Sequence, residues 1–336
     1  MMARTTIDDV AAAAGVSIKT VSRVLNDEPG VRSETRNRVR DAIASLSYRP
    51  SLPARSLAGK RSNLLGLVYD NPSANYVFDV QSGAMARCRN AHLRLFIQSC
   101  NDLGGESVEE VLAMIDQTHV DGLVVTPPLS SDPALISALD ERRLPYVRLA
   151  PDDTSKGGPC VIMDDEAAAH DMTAHLLELG HRRIGFVAGH PDHPSSRLRR
   201  LGYQAALDAA EIGASQPIEQ GYNDTASGYE AGRRLLSIAE RPTAIFASND
   251  DMAAGVVQAA HELGIDVPRQ LSVAGFDDSQ IAAIVWPALT TIRQPAYEMA
   301  FTAAGLLIDL IRGRPAPART ELAYTLVQRG STAEAP

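Results

Sequence analysis

Between residues 63 and 275, short apolar runs alternate with helical stretches, and this alternation leaves few architectures open. Strand-like runs stand at Leu64–Val68, Leu93–Ile97, Gly122–Val125, Tyr146–Leu149, Ile184–Val187, Ala244–Ala247 and Leu271–Gly275, with helical segments such as Val108–Met114 and Ala167–Leu179 between them. Strands separated by helices predict parallel sheets covered by helices on both faces and joined by right-handed crossovers. Such sheets bind ligands beyond their strand C-termini. Two lobes of this kind would hold a small molecule in the cleft between them.

The chain has 336 residues, too many for one compact domain and suited to a small module in front of a two-part body. The module reads as three short helices. Ile7, Val10, Ala11 and Ala14 form one apolar stripe that Gly15 ends; Val21, Val24 and Leu25 form a second; Val39, Ala42, Ile43 and Leu46 form a third. Only Gly15-Val16-Ser17 links the first two, with Ser17 placed as an N-cap. Two helices joined by so short a turn make a helix-turn-helix, whose second helix enters the DNA major groove.

On that second helix the face opposite the apolar stripe carries Ile18, Lys19, Ser22 and Arg23. Arg or Lys reads guanine O6 and N7, and Ile18 can pack on a thymine methyl. Thr20 and Asn26 suit phosphate oxygens, which fix register without specifying sequence. A solvated basic face on a three-helix cap would give the same pattern. Charge favours DNA: residues 1–62 carry a net +5, whereas the rest carries −14 of the total −9. A basic head on an acidic body suggests that only the head meets a polyanion.

The run Thr6-Ile7-Asp8-Asp9-Val10-Ala11, then Ala14-Gly15-Val16-Ser17, then Thr20-Val21-Ser22-Arg23-Val24-Leu25-Asn26 closely resembles the headpiece of the lac repressor (LacI/GalR) family. Val31, Thr35-Arg36, Val39, Ala42-Ile43, Leu46, Tyr48 and Pro50 continue it. The resemblance adds Thr6 and Ser17 to the DNA-facing set. One departure is Arg32, where that family has a serine capping the third helix; Ser33 is expected to take over. Residues 51–62 are similar to the family's hinge, with its Ala-Arg-Ser-Leu core at residues 54–57. The resemblance implies that Ala54, Arg55 and Leu57 enter the minor groove at the operator centre, Leu57 acting as the wedge that bends the DNA. Pro53 makes the hinge geometry less regular than the headpiece.

The body resembles the family's regulatory domain, itself similar to periplasmic sugar-binding proteins, at Leu179–Gly185, Pro242–Asp250, Val273–Asp278, Pro287–Ile292 and the pattern Ser196-x-x-Arg199-x-x-Gly202-Tyr203. The whole is therefore an α/β chain: an all-α helix-turn-helix headpiece (1–50), a hinge (51–62), and a two-lobed, periplasmic-binding-protein-like body with parallel sheets (63–336). The first lobe would take about 63–160 and 291–324, the second about 161–287 and 325–336. By resemblance, Arg199, Asn249 and Asp277 form the polar grip of the cleft, with Ser196 beside them, and Asp70 and Tyr76 line the other lobe. Read alone, Asp277 could equally be a helix N-cap, and Arg199 a member of a surface ion pair. Asn223 stands where relatives place an aromatic ring on the ligand, with Tyr222 next to it. Trp286 precedes Pro287 at a crossover and is expected in the core.

Enzyme signatures do not appear: no GxGxxG after a strand, no GxxxxGK[ST], no GxSxG and no HExxH. His181, His190 and His193 surround a loop without the fixed ligand spacing of a metal site, so neither metal nor cofactor is expected. Cys88, Cys100 and Cys160 form no CxxC pair, and neither a signal peptide nor a membrane span is read, which suits the cytoplasm. The expected function is a repressor, working as a homodimer on double-stranded operator DNA and released by a sugar-like effector. A repressor that needs a purine or another metabolite as corepressor is the nearest alternative. An α/β enzyme with a fused DNA-binding head is the alternative of another class.

Overall fold

The computed structural model describes residues 5–25, 30–46, 48, 61–100, 107–213 and 216–336. The chain divides into two compact units, one of residues 1–64 with 119–121, the other of the remainder. Asn26, Ala54, Arg55 and Leu57 lie outside the described residues, as does nearly all of the expected hinge.

In the first unit, α1 (Ile7–Ala14), α2 (Ile18–Leu25) and α3 (Ser33–Ser45) enclose a core of Val10, Val21, Val24, Val39 and Tyr48. Thr6 starts α1 with a capping box: its hydroxyl accepts from the Asp9 N–H, and Asp9 accepts from the Thr6 N–H at 2.7 Å. Gly15 ends α1 at φ 61°, a left-handed conformation that costs glycine nothing in steric terms. The hydroxyl of Ser17 accepts from the Thr20 N–H at 3.3 Å, the capping role expected of it. The start of α3 departs from expectation. Arg32 occupies the N-cap without a side-chain capping bond, and Ser33 lies already inside the helix, where its backbone is helical and its hydroxyl no longer occupies the capping position.

The second unit holds two parallel sheets. The first has the order β11-β5-β4-β3-β1-β2, from β1 (Leu64–Tyr69), β2 (Arg94–Ser99), β3 (Gly122–Val125), β4 (Tyr146–Leu149), β5 (Cys160–Ile162) and β11 (Arg319–Glu321). The second has the order β7-β6-β8-β9, from β6 (Ile184–Ala188), β7 (Ile218–Gln220), β8 (Ala244–Ala247) and β9 (Ser272–Ala274). Its three pairings are all parallel. Two short strands, β10 (Thr291–Arg293) and β12 (Thr325–Val327), form an antiparallel ribbon. All seven strands read from the sequence are present within a few residues of their expected limits. Of the remaining strands, β5 and β12 fall where the resemblance implies strands crossing between the lobes, near 160–164 and 325–328, and β10 begins at the end of the third such stretch, 287–291. The strands β7 and β11, not anticipated, are three residues each, too short for a period of two to register.

Helices cover both sheets. In the first lobe α4 (Ala74–Asn90) packs on α12 (Ala296–Ile311), which also lies against β3, β4 and β5. The segment expected as a helix from Val108 forms α5 (Ser107–Thr118), and α6 (Pro133–Glu141) follows with Asp132 as its N-cap. In the second lobe α7 (Asp165–Glu178) packs on α8 (Pro194–Ala209), and α9 (Thr225–Leu236) on α10 (Asp250–Glu262). A one-turn helix, α11 (Gln280–Ile284), leads to Trp286. That residue is 81% exposed, contrary to the core position expected of the only tryptophan.

The α7–α8 pair explains Gly202-Tyr203. A Cβ on Gly202 would stand 2.0 Å from the Glu166 carbonyl oxygen, so only glycine lets the two helices approach this closely. Tyr203, fully buried, stacks on Phe186 at 4.7 Å and donates its hydroxyl to the Ile184 carbonyl at 2.6 Å. Gly202→Ala should therefore force α7 and α8 apart and cost roughly 1–3 kcal/mol as an overpacked core does. Calorimetry of the full chain should show melting several degrees lower; an unchanged melting temperature contradicts the account.

Candidate functional site

Arg199 projects from α8 into the space between the sheets and is almost fully buried. The Asp165 carboxylate, in the first turn of α7, accepts from its Nε at 2.8 Å. The Ser248 carbonyl at the end of β8 accepts at 2.6 Å, and Gln294, just beyond β10, accepts through Oε1 at 3.1 Å. Asp277 lies 3.6 Å from the guanidinium, which rests on the Phe276 ring with 3.6 Å between its carbon and the ring centroid. Arg199 is thus a buried hub rather than part of a surface ion pair.

Asp277 follows β9 with φ 115°, an unusual backbone for a residue with a Cβ. Its N–H donates to the Ile292 carbonyl at 2.8 Å and its carbonyl accepts from the Gln294 N–H at 3.2 Å. These bonds hold its carboxylate toward Arg199. It caps no helix; that role falls to Asn249, whose Oδ1 accepts from the Met252 N–H at 2.9 Å at the start of α10. Asn249 Nδ2 donates to the Asn223 carbonyl at 3.0 Å, so this amide orders the rim as well as lining the cavity.

Burial raises the Asp277 carboxyl well above the ordinary carboxylate range, against the pull of Arg199. Burial likewise pushes Asp250, beneath it, up to about 7, while hydrogen bonds from Thr291 and Ser279 act the other way. The Tyr76 hydroxyl is raised, first by burial and then by the Asp277 carboxylate.

A polar cavity of about 30 Å³ lies beside this hub, lined among others by Tyr76, Arg199, Asn223, Asn249 and Asp277. Beyond it a larger compartment of about 420 Å³ is lined by Asp70, Pro128, His190, Tyr222 and Asp224, among others. Asn71 and His193 line both. Ser196 lines neither; it is buried toward Gly189, and the adjacent Ser195 faces the inner cavity instead. Sequence reading missed Asp165, Gln294, Asn71 and Ser73 as lining residues. The acidic run Asp164-Asp165-Glu166 was the available signal for the first. Across the cleft, Ser73 Oγ donates to Asp251 at 2.6 Å, Asn75 Nδ2 donates to Asp251 at 3.1 Å, and Arg197 pairs with Asp152.

The histidine loop separates into different environments. His181 is held by Thr243 at 2.9 Å and Ser272 at 3.0 Å. Among the described residues no group of three or more His, Cys, Asp or Glu could hold a metal ion. His193, 4% exposed, is pushed down to about 4, chiefly by burial and then by His190. Its depressed folded value means that the unfolded chain takes up the extra proton below the ordinary 6.5. The stability from keeping it neutral is complete above 6.5 and is lost as pH falls toward 4, by about 1.4 kcal/mol per unit at most. His193→Gln should flatten that part of the melting-temperature profile; parallel profiles for parent and variant refute the assignment.

On the helix-turn-helix, Ser17, Ile18, Lys19 and Arg23 are exposed, and Thr20 and Ser22 half-buried. Val21 and Val24 face the core. Ile18 is 47% exposed. Thr6 is exposed too, but its hydroxyl donates to Asp9 at 2.8 Å within the capping box. Among the described residues no helix is long and apolar enough to cross a membrane.

A helix-turn-helix head with an open polar face and a two-lobed body with a polar cleft define a DNA-binding regulator that carries a small-molecule site. Residues 6–51 match the family described as bacterial regulatory proteins, lacI family, and residues 173–332 match the periplasmic binding protein-like domain. The chain is 35% identical over 335 residues to the HTH-type transcriptional repressor PurR of Pectobacterium carotovorum subsp. carotovorum (strain PC1), with 98% of each chain covered. It is 34% identical over 335 residues to the PurR repressor of Escherichia coli O1:K1 / APEC, again over 98% of each. Among solved structures, the lac repressor dimer bound to operator and the anti-inducer ONPF superposes with a TM-score of 0.86 at 29% identity, covering 98% of this chain and 100% of that one. The transcriptional regulator CelR–cellobiose complex gives 0.75 at 30% identity, with the same coverage. The chain belongs to the lacI family of bacterial regulatory proteins, and it is a DNA-binding transcriptional repressor.

Proposed function

We propose that this repressor acts as a homodimer in the cytoplasm, holds a pseudo-palindromic operator through two heads, and is released by a small sugar-like effector bound in the cleft. Two half-sites require two heads, which sets the dimer as the minimum. In this reading residues 1–50 bind DNA, 51–62 form the hinge and 63–336 the body. Ile18, Lys19, Ser22 and Arg23 form the base-reading face; Thr20 and Asn26 serve the backbone; Thr6 and Ser17 complete the DNA-facing set; Ala54, Arg55 and Leu57 occupy the minor groove.

The observation that carries the effector reading is the Arg199–Asp277 pair set in a cavity with Tyr76, Asn223 and Asn249. A fork of donors, an acceptor carboxylate and two amides together suit vicinal hydroxyls. The solved relative with cellobiose supports a carbohydrate. The full-length likeness to repressors named PurR supports the second reading, a purine-type corepressor.

Effector and operator are linked, so whichever ligand weakens DNA binding is itself bound more weakly by the DNA complex, by the same factor. Operator affinity at fixed salt, titrated with neutral sugars and with purine bases, tests the reading. Weakening by a sugar supports induction, strengthening by a purine base supports the second reading, and indifference to every ligand that binds the body refutes an effector role for the cleft. Each ligand recovered unchanged after incubation with pure protein would also exclude turnover.

A further inference from the structure

We propose that the cleft admits a hydroxyl-bearing ligand without an anionic group, and that His193 is the side chain that reads it where the two compartments meet. This rests on the effector reading above and adds the charge class of the ligand.

Arg199 is the sole arginine or lysine among the described residues lining either compartment. Its nitrogens already serve Asp165, Ser248 and Gln294, with Asp277 close by. One guanidinium therefore faces two carboxylates and has little capacity left for a third. The outer compartment adds Asp70, Asp192 and Asp224. A phosphate or carboxylate entering here would give up its hydration and meet like charge, with no unengaged cation to receive it. Hydroxyls meet the opposite situation, since carboxylates are acceptors that a hydroxyl can satisfy by donating.

His193 supplies the second, independent observation. It is more than nine-tenths buried, precedes α8 as the N-cap, and makes no side-chain hydrogen bond among the described residues. It lines both compartments. Its ring stands 5.3 Å from that of His190, which meets Tyr222 edge-on at 5.7 Å. Burial keeps the imidazole neutral near pH 7, so one nitrogen donates and the other accepts. A ligand hydroxyl at the junction would pair with either nitrogen, donating to one or accepting from the other. A neutral imidazole gives an anion no charge pairing.

The test uses matched probes on the full chain: ribose against ribose 5-phosphate, glucose against glucose 6-phosphate, and adenine against AMP, by calorimetric titration at constant ionic strength. The parent should bind no phosphorylated member better than its uncharged counterpart. His193→Arg places a cation at the junction, and Tyr222→Arg places one at an exposed position on the outer wall should the buried substitution fail to fold. Either folded variant should gain at least tenfold in affinity for the phosphorylated members. A phosphorylated probe that binds the parent more tightly than its neutral partner overturns the proposal, and so does a folded variant that gains no phosphate binding. A neutral ligand that binds the parent without changing operator affinity would refute the effector reading and leave the charge inference standing.

Discussion

Arg199→Met should lower the melting temperature of the body by about 10 °C and abolish its ligand response. The substitution keeps the aliphatic volume over Phe276 and removes the only charge between Asp165 and Asp277. Removing one partner of a buried ion pair costs roughly 3–5 kcal/mol, because the other charge stays buried and unpaired. In a body of this size each kcal/mol moves the transition by about 2–4 °C. The pH dependence carries a sign. Without Arg199, the Asp277 carboxyl rises further above its ordinary 3.8, so the folded variant binds a proton more readily than the unfolded chain. Its deficit should then narrow as pH is lowered toward 3.8 and widen above it. Adding Asp165→Asn should restore part of the loss, since one of the two stranded carboxylates is gone. A variant that melts within two degrees of the parent at pH 7 would show that the hub is not a stabilising element.

Arg23→Ala should weaken operator binding about 10- to 100-fold at fixed salt while leaving ligand binding to the body intact. A bidentate base contact is worth roughly 1–3 kcal/mol of discrimination. Arg23 is exposed on the DNA-facing side of α2, while Val21 and Val24 hold the helix to its core, so its removal should leave the head folded. The salt dependence separates reading from anchoring. A base-reading arginine should leave discrimination between operator and unrelated DNA reduced, whereas a phosphate-binding one should weaken both equally and lower the salt slope by about one. Lys19→Ala, one position into the same helix, provides the comparison. Unchanged affinity in both variants would move the reading face off α2.

The head was legible almost residue by residue, for a physical reason. Its three helices carry unbroken apolar stripes, and Thr6, Gly15 and Ser17 mark helix ends with residues whose chemistry fits nothing else as well. The start of α3 was not legible, because Arg32 offers the N-cap no suitable acceptor. In the body, strands of four or more residues showed their apolar runs. Among the three-residue strands β9 did so because it lies within the longer apolar run Leu271–Gly275, whereas β7 and β11 did not. The site was legible where one residue carries a conspicuous chemistry, as at Arg199 and Asp277. It was not where the partner comes from far along the chain: Asp165 and Gln294 meet Arg199 only because α7 and the segment beyond β10 converge. Ser196 shows the limit of motif transfer, since one step along α8 decides whether a side chain faces the cavity or the core.

The place of β11 bears on how the molecule is made. Arg319–Glu321 pairs with β5, and α12 lies across β3, β4 and β5. The sheet that begins at Leu64 therefore lacks its edge and one cover until residue 321 has left the ribosome, after all of the second lobe but its last segment from about 325. At the usual roughly 5–20 residues per second of synthesis, the first lobe must wait many seconds with an apolar face open. A nascent head is free to fold early, but a prematurely terminated product would carry a DNA-binding module attached to a sensor that cannot close.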